Sequence, residues 1–178
     1  MRIEPTPLAG LHVVRTEPVA DERGLFVRTF CQDRFREAGI AFSPVQTSAS
    51  FNHQAGTLRG LHWQQAPAAE TKLVRVTRGR IFDVAVDLRA DSATQGRWFG
   101  LELDADSRHA LLIPPGFAHG FITLVDASEV LYAMDVPQAP GQARGARWDD
   151  PAFGIRWPRP PRVMSQRDRQ WPAFDPAP

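Results

Sequence analysis

The sequence predicts an all-β fold, an antiparallel sandwich or barrel made of short strands. Several segments alternate apolar and polar residues with the two-residue period of a strand. Turn-forming residues separate these segments at short intervals, and the chain contains 16 prolines and 13 glycines. Many short strands with frequent turns are typical of antiparallel sandwiches and barrels.

The clearest alternation lies between residues 72 and 88. Within Ile81–Leu88 the side chains of Phe82, Val84, Val86 and Leu88 share one face, while two aspartates and an alanine share the other. Leu73–Thr77 alternates as well, and Gly79 lies in a turn signal between the two runs. These two segments are therefore predicted to form a hairpin.

Further strands are predicted on both sides of the turn Pro114–Gly116. They are Trp98–Leu103, His109–Ile113, Gly120–Leu124 and Val130–Met134. One short helix is predicted at Gln32–Ala38, ended by Gly39. The tail beyond Trp148 is rich in proline and tryptophan, and we expect it to wrap the barrel as loops and short helices.

Length and charge favour one ordinary globular domain spanning residues 1–178. The 21 basic and 20 acidic residues are spread along the chain, so nothing indicates a nucleic-acid-binding surface. No segment reaches the length of a membrane span, and the N-terminus lacks the apolar core of a signal peptide, so we expect a cytoplasmic protein. The one cysteine, Cys31, excludes an internal disulfide and a Cys-based zinc site, and a buried structural thiol is expected there.

Titratable residues fall within otherwise apolar, strand-like segments. Arg59, His62, Lys72, His119 and Tyr132 all lie in such surroundings. Burying an unpaired charge is costly, so interior Arg, His and Lys side chains indicate a cavity for an anionic ligand. Any one of these residues taken singly is more often structural than catalytic, so only their combination points to a site.

Segments spread over nearly the whole chain resemble the dTDP-4-dehydrorhamnose 3,5-epimerase family, in the same order and with similar spacing. The segments are 21–26 (DERGLF), 56–64 (GTLRGLHWQ), 72–74 (KLV), 83–89 (DVAVDLR), 113–121 (IPPGFAHGF), 148–151 (WDDP), 154–158 (GIRWP) and 165–168 (SQRD). Agreement at so many separate places is more specific than any single short motif.

The resemblance implies a cupin-type jelly-roll β-barrel with a short N-terminal helix and a C-terminal tail of loops and helix. It implies an isomerase that epimerises a nucleotide-linked 4-keto-6-deoxysugar at C3 and C5 without a cofactor. It also implies a homodimer in which N-terminal strands cross to the partner sheet. Edge strands and the aromatic residues Phe26, Trp63 and Trp98 would benefit from such cover.

The resemblance implies four catalytic residues. His62 would remove the proton next to the ketone, with Asp168 paired to it, because a carboxylate fixes the imidazole tautomer and supports its protonated form. Tyr132 would return a proton from the opposite face, and Lys72 would stabilise the enolate oxygen. A histidine, with an ordinary pKa of about 6.5, suits the base, and a tyrosine, at about 10, suits the acid.

Seven further residues are implied in substrate binding: Arg23, Phe26, Gln46, Ser48, Arg59, His119 and Arg167. Arg59 and His119 would hold the sugar and its diphosphate, whereas Arg23 and Gln46 would contact the nucleotide. Arg167 stands where the family usually has lysine, so the charge is kept.

Four departures from the family pattern lie on the nucleotide side. Arg28 replaces a glutamate, residues 46–48 read Gln-Thr-Ser instead of Gln-Asp-Asn, Pro137 and Gln138 replace a stacking aromatic residue, and Ala143 replaces a glutamate. Cytosine, guanine or uracil therefore stays open beside thymine. The motifs also leave open whether C3 alone or both C3 and C5 are inverted.

Two other classes of protein stay open. A metal-dependent cupin enzyme would need a ligand set such as His62, Glu70 and His119, which is thin because Gln64 stands where a second histidine is usual. We therefore predict no metal. A non-catalytic sugar-nucleotide binder would bind the ligand without turnover.

Overall fold

The computed structural model describes residues 1–175, and residues 176–178 of the predicted domain lie outside this range. Its strands are β1 (Arg2–Pro5), β2 (His12–Arg15), β3 (Val19–Asp21), β4 (Gly24–Phe26), β5 (Gln46–Asn52), β6 (Leu58–Gln64), β7 (Lys72–Arg78), β8 (Arg80–Asp87), β9 (Trp98–Asp104), β10 (Ala110–Ile113), β11 (Phe117–Thr123), β12 (Ser128–Met134) and β13 (Ala143–Gly145). Its helices are α1 (Gln32–Glu37), a 3-10 helix at Pro140–Gln142, and α2 (Gln166–Arg169).

Two antiparallel sheets form the body of the molecule. The six-stranded sheet has the order β1-β2-β10-β7-β12-β5, and the five-stranded sheet has the order β13-β6-β11-β8-β9. From β6 to β13 the chain passes repeatedly from one sheet to the other, as in a jelly roll. The predicted all-β jelly-roll barrel is confirmed.

The predicted hairpin of β7 and β8 is wrong. β7 pairs with β10 and β12 in one sheet, whereas β8 pairs with β11 and β9 in the other. Gly79 makes the corner between them with φ +76°, and a Cβ there would lie 2.4 Å from Ser128 Oγ. The turn at Arg78-Gly79 therefore connects a strand of one sheet to a strand of the other. The alternation of apolar and polar residues predicts a strand but does not specify which strand it pairs with.

Apolar side chains fill three layers. One cluster lies between the two sheets and draws on both, with Val74 and Leu111 from the six-stranded sheet and Ala85 and Phe121 from the five-stranded one. A second cluster includes Leu73, Leu112 and Phe35 of α1, and a third includes Val84, Val86 and the tail residues Phe153 and Trp157. Both faces of β8 are therefore buried, and its polar face, with Asp83, lies on the side of Ala85.

The predicted helix and tail are confirmed. α1 lacks only the last predicted residue, and Gly39 with φ +75° follows its end. Cys31 precedes α1 and is half-buried, so the expected fully buried thiol is wrong. No helix within residues 1–175 is long and apolar enough to cross a membrane.

The N-terminal hairpin of β3 and β4 lies apart from both sheets and is exposed throughout. Val19 and Phe26 on it are 72% and 77% exposed. Trp63 and Trp98, in contrast, are packed in the cluster that includes the tail of the same chain. Of the three aromatic residues expected to need cover, Phe26 alone stays bare.

Candidate active site

A cavity of about 690 Å³ opens between the two sheets. The six-stranded sheet supplies lining residues from β5, β7 and β12, and the five-stranded sheet supplies them from β6, β11 and β13. The lining includes nine of the eleven predicted site residues: Gln46, Ser48, Arg59, His62, Lys72, His119, Tyr132, Arg167 and Asp168. A second cavity, of about 780 Å³, lies beside α1 and contains none of them.

His62 and Asp168 form a close pair in this cavity. Asp168 Oδ1 lies 2.6 Å from His62 Nε2, and the His62 side chain is 41% exposed while that of Asp168 is 5% exposed. Asp168 lies in the first turn of α2, which is capped by Ser165: the Asp168 amide donates to Ser165 Oγ at 3.0 Å. Burial acts to raise the pKa of Asp168, but the hydrogen bond and charge of His62, with the donors of Gly60 and Ser165, hold it below its ordinary value.

The glycines around His62 allow two strands to approach closely. A Cβ on Gly60 would lie 2.5 Å from the Cα of Gly120, and Gly60 has φ +131°. His62 of β6 pairs with His119 of β11 across this contact. Only residues without a side chain fit at these two positions, so the glycines of the Arg-Gly-Leu-His and His-Gly motifs set how the two histidines stand side by side.

His119 has a carboxylate partner of its own. His119 Nε2 lies 2.7 Å from Asp83 Oδ1, and the Asp83 side chain is fully buried. The ring of Tyr132 meets that of His119 edge-on, with centroids 6.0 Å apart. Asp83 therefore holds His119 from within the barrel, beside the tyrosine.

Tyr132 stands on the six-stranded sheet, facing the two histidines. Burial raises the pKa of its phenol, and the negative charge of Asp83 raises it further, while the Ser50 hydroxyl and the charge of Arg59 act the other way. Tyr132 is thus kept in its neutral form, which can donate a proton. It is the only tyrosine of the chain.

Lys72 begins β7 and faces the same cavity. Its Nζ lies 2.8 Å from Glu70 Oε1, and both side chains are largely buried. Lys72 is also the only lysine in the sequence, and all the other residues counted as Lys or Arg are arginines. The one lysine ammonium of the sequence therefore lies at the cavity.

Arginine and amide side chains complete the lining. Arg59 Nε donates to Asn52 Oδ1 at 2.8 Å, and the guanidinium of Arg167 lies over the ring of Trp171 at 4.8 Å. Gln46 Nε2 donates to Ser48 Oγ at 3.4 Å. Among the residues that replace the usual nucleotide-side residues, Gln138 and Ala143 line the cavity as well.

Arg23 and Phe26 do not line the cavity of their own chain. They lie on the exposed N-terminal hairpin, where Arg23 makes an ion pair with Asp21 and its side chain is 83% exposed. Their predicted role in binding would need a second copy of the chain, and it stays a prediction.

The sequence matches the dTDP-4-dehydrorhamnose 3,5-epimerase family over residues 5–176. The chain belongs to this family. A dTDP-4-dehydrorhamnose 3,5-epimerase from Sinorhizobium fredii is 40% identical to it over 175 residues, which cover 98% of this chain and 90% of that protein.

Solved structures with the same fold include a 3,5-epimerase and a 3′-monoepimerase. The dTDP-4-dehydrorhamnose 3,5-epimerase of Bacillus anthracis, with TDP and PPi bound, has a TM-score of 0.94 at 38% identity and covers 97% of this chain and 99% of that one. ChmJ of Streptomyces bikiniensis, a 3′-monoepimerase in complex with dTDP-quinovose, has a TM-score of 0.89 at 30% identity and covers 96% and 86%. The fold is thus shared by a double and a single epimerase.

Four residues that hold the epimerase-family site together were given no such role by the sequence: Asn52, Asp83 as a partner of His119, Glu70 as a partner of Lys72, and Trp171. Trp171 Nε1 donates to Asp168 Oδ1 at 3.3 Å, and its ring covers Gly145, where a Cβ would lie 2.2 Å away. The one signal in the sequence was that Asp83 begins a segment, 83–89, that resembles the family.

The residues of the rival metal site each have another partner. His62 pairs with Asp168, His119 with Asp83, and Glu70 with Lys72. Within residues 1–175 no group of three His, Cys, Asp or Glu side chains is placed to hold a metal ion.

Proposed function

We propose that this protein inverts C3 and C5 of a nucleotide-linked 4-keto-6-deoxysugar, as a dTDP-4-dehydrorhamnose 3,5-epimerase does. The observation that carries the proposal is the placement of the His62–Asp168 pair on one wall of the cavity and Tyr132 on the opposite wall. Inversion next to a ketone needs a base on one face of the sugar and an acid on the other, and the two sheets supply them in that arrangement.

His62 takes the role of the base. A C–H bond next to the C4 ketone breaks, the proton goes to His62, and the electron pair of that bond forms a planar enolate. Asp168 stabilises the imidazolium that results and keeps the ring in one orientation.

Tyr132 takes the role of the acid. Its phenol gives a proton to the planar carbon from the face opposite His62, and the C–H bond that forms has the inverted configuration. Burial keeps this phenol protonated, as an acid requires. Because a proton leaves and a proton returns, the reaction is neutral in electrons and calls for no redox cofactor.

Lys72 takes the role of the enolate stabiliser. Its ammonium lies in the same cavity as the base and the acid, and negative charge develops on the C4 oxygen as the proton leaves. A fixed donor in a partly buried site is worth more to such a developing charge than to the neutral ketone.

The cations at the cavity suit a nucleotide diphosphate. Arg59, Arg144 and Arg167 line it together with His119 and Lys72. Guanidinium groups bind phosphate oxygens with paired N–H donors. The similarity to proteins that hold TDP and dTDP-quinovose supports thymidine as the nucleoside.

The proposal includes a single domain, a homodimer and a cytoplasmic location. The exposed hairpin of β3 and β4, with Val19 and Phe26 bare, supports the exchange of N-terminal strands with a second copy. Such a dimer would give Arg23 and Phe26 a place at the partner's substrate. Sedimentation at micromolar concentration tests it, and a monomer would contradict it.

The function is tested by incubating the purified protein with dTDP-4-keto-6-deoxyglucose in heavy water and following the sugar protons by NMR. Exchange at both C3 and C5 supports the double epimerase, and exchange at C3 alone makes the protein a 3-epimerase. CDP-, GDP- and UDP-linked 4-keto sugars are measured in parallel to rank the nucleotides. No exchange with any of the four would contradict the proposal.

A further inference from the structure

The carboxylate of Glu70 contacts the ammonium group of Lys72 at the wall of the cavity. Glu70 Oε1 lies 2.8 Å from Lys72 Nζ, and the two side chains are 4% and 14% exposed. Both residues line the cavity. Glu70 therefore stands behind the one lysine of the chain, and the reaction proposed above gives it no role.

The backbone is held on both sides of Glu70. Before it, Gln64 Nε2 donates to the Ala68 carbonyl at 2.9 Å. After it, the Thr71 amide donates to Asp135 Oδ1 at 2.7 Å, and the Thr71 carbonyl accepts from the Asp135 amide at 3.3 Å. A carboxylate on a segment anchored in this way keeps its place when the cavity fills.

The two oxygens of the Glu70 carboxylate differ in their contacts. Glu70 Oε2 is buried and has no hydrogen-bond partner among residues 1–175, whereas Oε1 contacts Lys72. A buried acceptor left without a partner costs free energy. The contact of the other oxygen with Lys72 is the feature that the structure retains at this cost.

A lysine side chain needs such support to act at one point. Its ammonium has three rotatable donors on a flexible stem, in contrast to the fixed fork of an arginine. Glu70 accepts from one donor of Lys72, which leaves the other two for the cavity.

We propose that Glu70 is a positioning residue that fixes the Lys72 ammonium towards the sugar oxygen on C4. This inference rests on the proposed function, because Lys72 acts there on the enolate. The attraction between the Lys72 ammonium and the C4 oxygen strengthens as negative charge develops on that oxygen. Misplacing the ammonium therefore lowers kcat more than it raises KM.

Two variants separate position from charge. Glu70→Gln keeps an acceptor oxygen at the same reach without the charge, and Glu70→Asp keeps the charge but withdraws the oxygen by one methylene. We expect kcat to fall about tenfold in Glu70→Asp and no more than about threefold in Glu70→Gln, with KM changed less than about twofold in both. In a Lys72→Ala background Glu70→Asp should lower kcat no further, because the group that it positions is gone.

The hold on Lys72 is measured without turnover as well. Because the chain has one lysine, labelling lysine with ¹³C gives a single set of Cε–Hε signals. A held stem keeps the two Hε protons distinct in wild type and Glu70→Gln, and a free stem in Glu70→Asp averages them.

These two readouts distinguish failure of the inference from failure of the proposed function. Equal kcat values for Glu70→Asp and wild type, equal Hε signals in all three proteins, or a larger kcat loss in Glu70→Gln than in Glu70→Asp would overturn the role of Glu70. A silent wild type overturns the proposed function instead, and the Hε signals then decide the hold on Lys72 alone. Thermal unfolding of each variant checks that it is folded.

Discussion

The two walls of the cavity differ in how they prepare their proton-transfer groups. On the five-stranded sheet, His62 and His119 each contact a carboxylate, from Asp168 and Asp83. On the six-stranded sheet, burial raises the pKa of the Tyr132 phenol, and the negative charge of Asp83 raises it further. The wall with His62 suits a base that accepts a proton, and the wall with Tyr132 suits an acid that stays protonated until it donates.

The difference teaches that the environment of each wall reinforces the assignment of acid and base that residue type already indicates. A carboxylate next to an imidazole favours the charged imidazolium, whereas burial and the nearby Asp83 disfavour a charged phenolate. The two sheets therefore give the base a carboxylate partner and the acid a buried setting. A change at Tyr132 should therefore stop proton return from that wall and leave proton removal by His62 measurable.

His62→Asn has the largest expected effect, because it removes the base and with it both proton transfers. We expect the rate of proton exchange at C3 and C5 to fall by about 10³-fold. NMR in heavy water measures it. The matched control is His12→Asn, whose imidazole contacts the Gly10 carbonyl away from the cavity and should leave the rate unchanged.

Asp168→Asn weakens the same wall without removing the base. The carboxylate that holds the imidazole is lost, and we expect kcat to fall by about 10²-fold or more. Because the pKa of Asp168 lies below its ordinary value, the wild-type residue is charged throughout the neutral range, so the loss should be seen at every pH above about 5. Asp149→Asn, which removes an exposed ion pair with Arg147, is the control, and an equal loss there would contradict the account.

Trp171→Phe sharpens the comparison with a smaller effect. It keeps the ring over Gly145 and removes the indole N–H that donates to Asp168. The loss of one such hydrogen bond predicts a three- to tenfold fall in kcat, roughly. Trp157→Phe removes an indole N–H that donates to the Trp148 carbonyl instead, and steady-state kinetics should show no change in kcat for it.

The wall that carries Tyr132 is tested by titrating the tyrosine phenol, without a kinetic measurement. Tyr132 is the only tyrosine, so the tyrosinate absorbance of the folded protein reports on it alone. The ordinary pKa of tyrosine is about 10. A raised pKa predicts a titration midpoint above that value in the folded protein and a return to about 10 in denaturant. Since the folded state then binds the proton more tightly, stability should fall as the pH rises above about 10. A midpoint at or below the ordinary value in the folded protein would contradict the account.

Much of the fold and most of the cavity could be predicted from the sequence. Period-two alternation placed strands correctly, and the match of spaced motifs to one family brought His62, Lys72, Tyr132 and Asp168 into one cavity. Residues that touch the reacting atoms are held to a narrow choice of chemistry. They are therefore the ones that motifs record.

The partners of those residues could not be predicted in the same way. Asp83 lies on the polar face of β8, which looks solvated in the sequence yet is buried because the strand is covered on both faces. The Trp171 ring lies over Gly145 because the tail folds back onto β13, which is distant from it in the sequence. Contacts between distant segments depend on how strands are shared between sheets, and the wrong hairpin of β7 and β8 has the same cause.

The central claim, that base and acid act from opposite walls, is tested most directly with Tyr132→Phe in heavy water. We expect deuterium still to enter at C3, because His62 can remove a proton and return a deuteron from its own side with the configuration retained. Inverted product should fall by about 10²-fold or more. Inversion at the wild-type rate, or loss of exchange as complete as in His62→Asn, would contradict the claim.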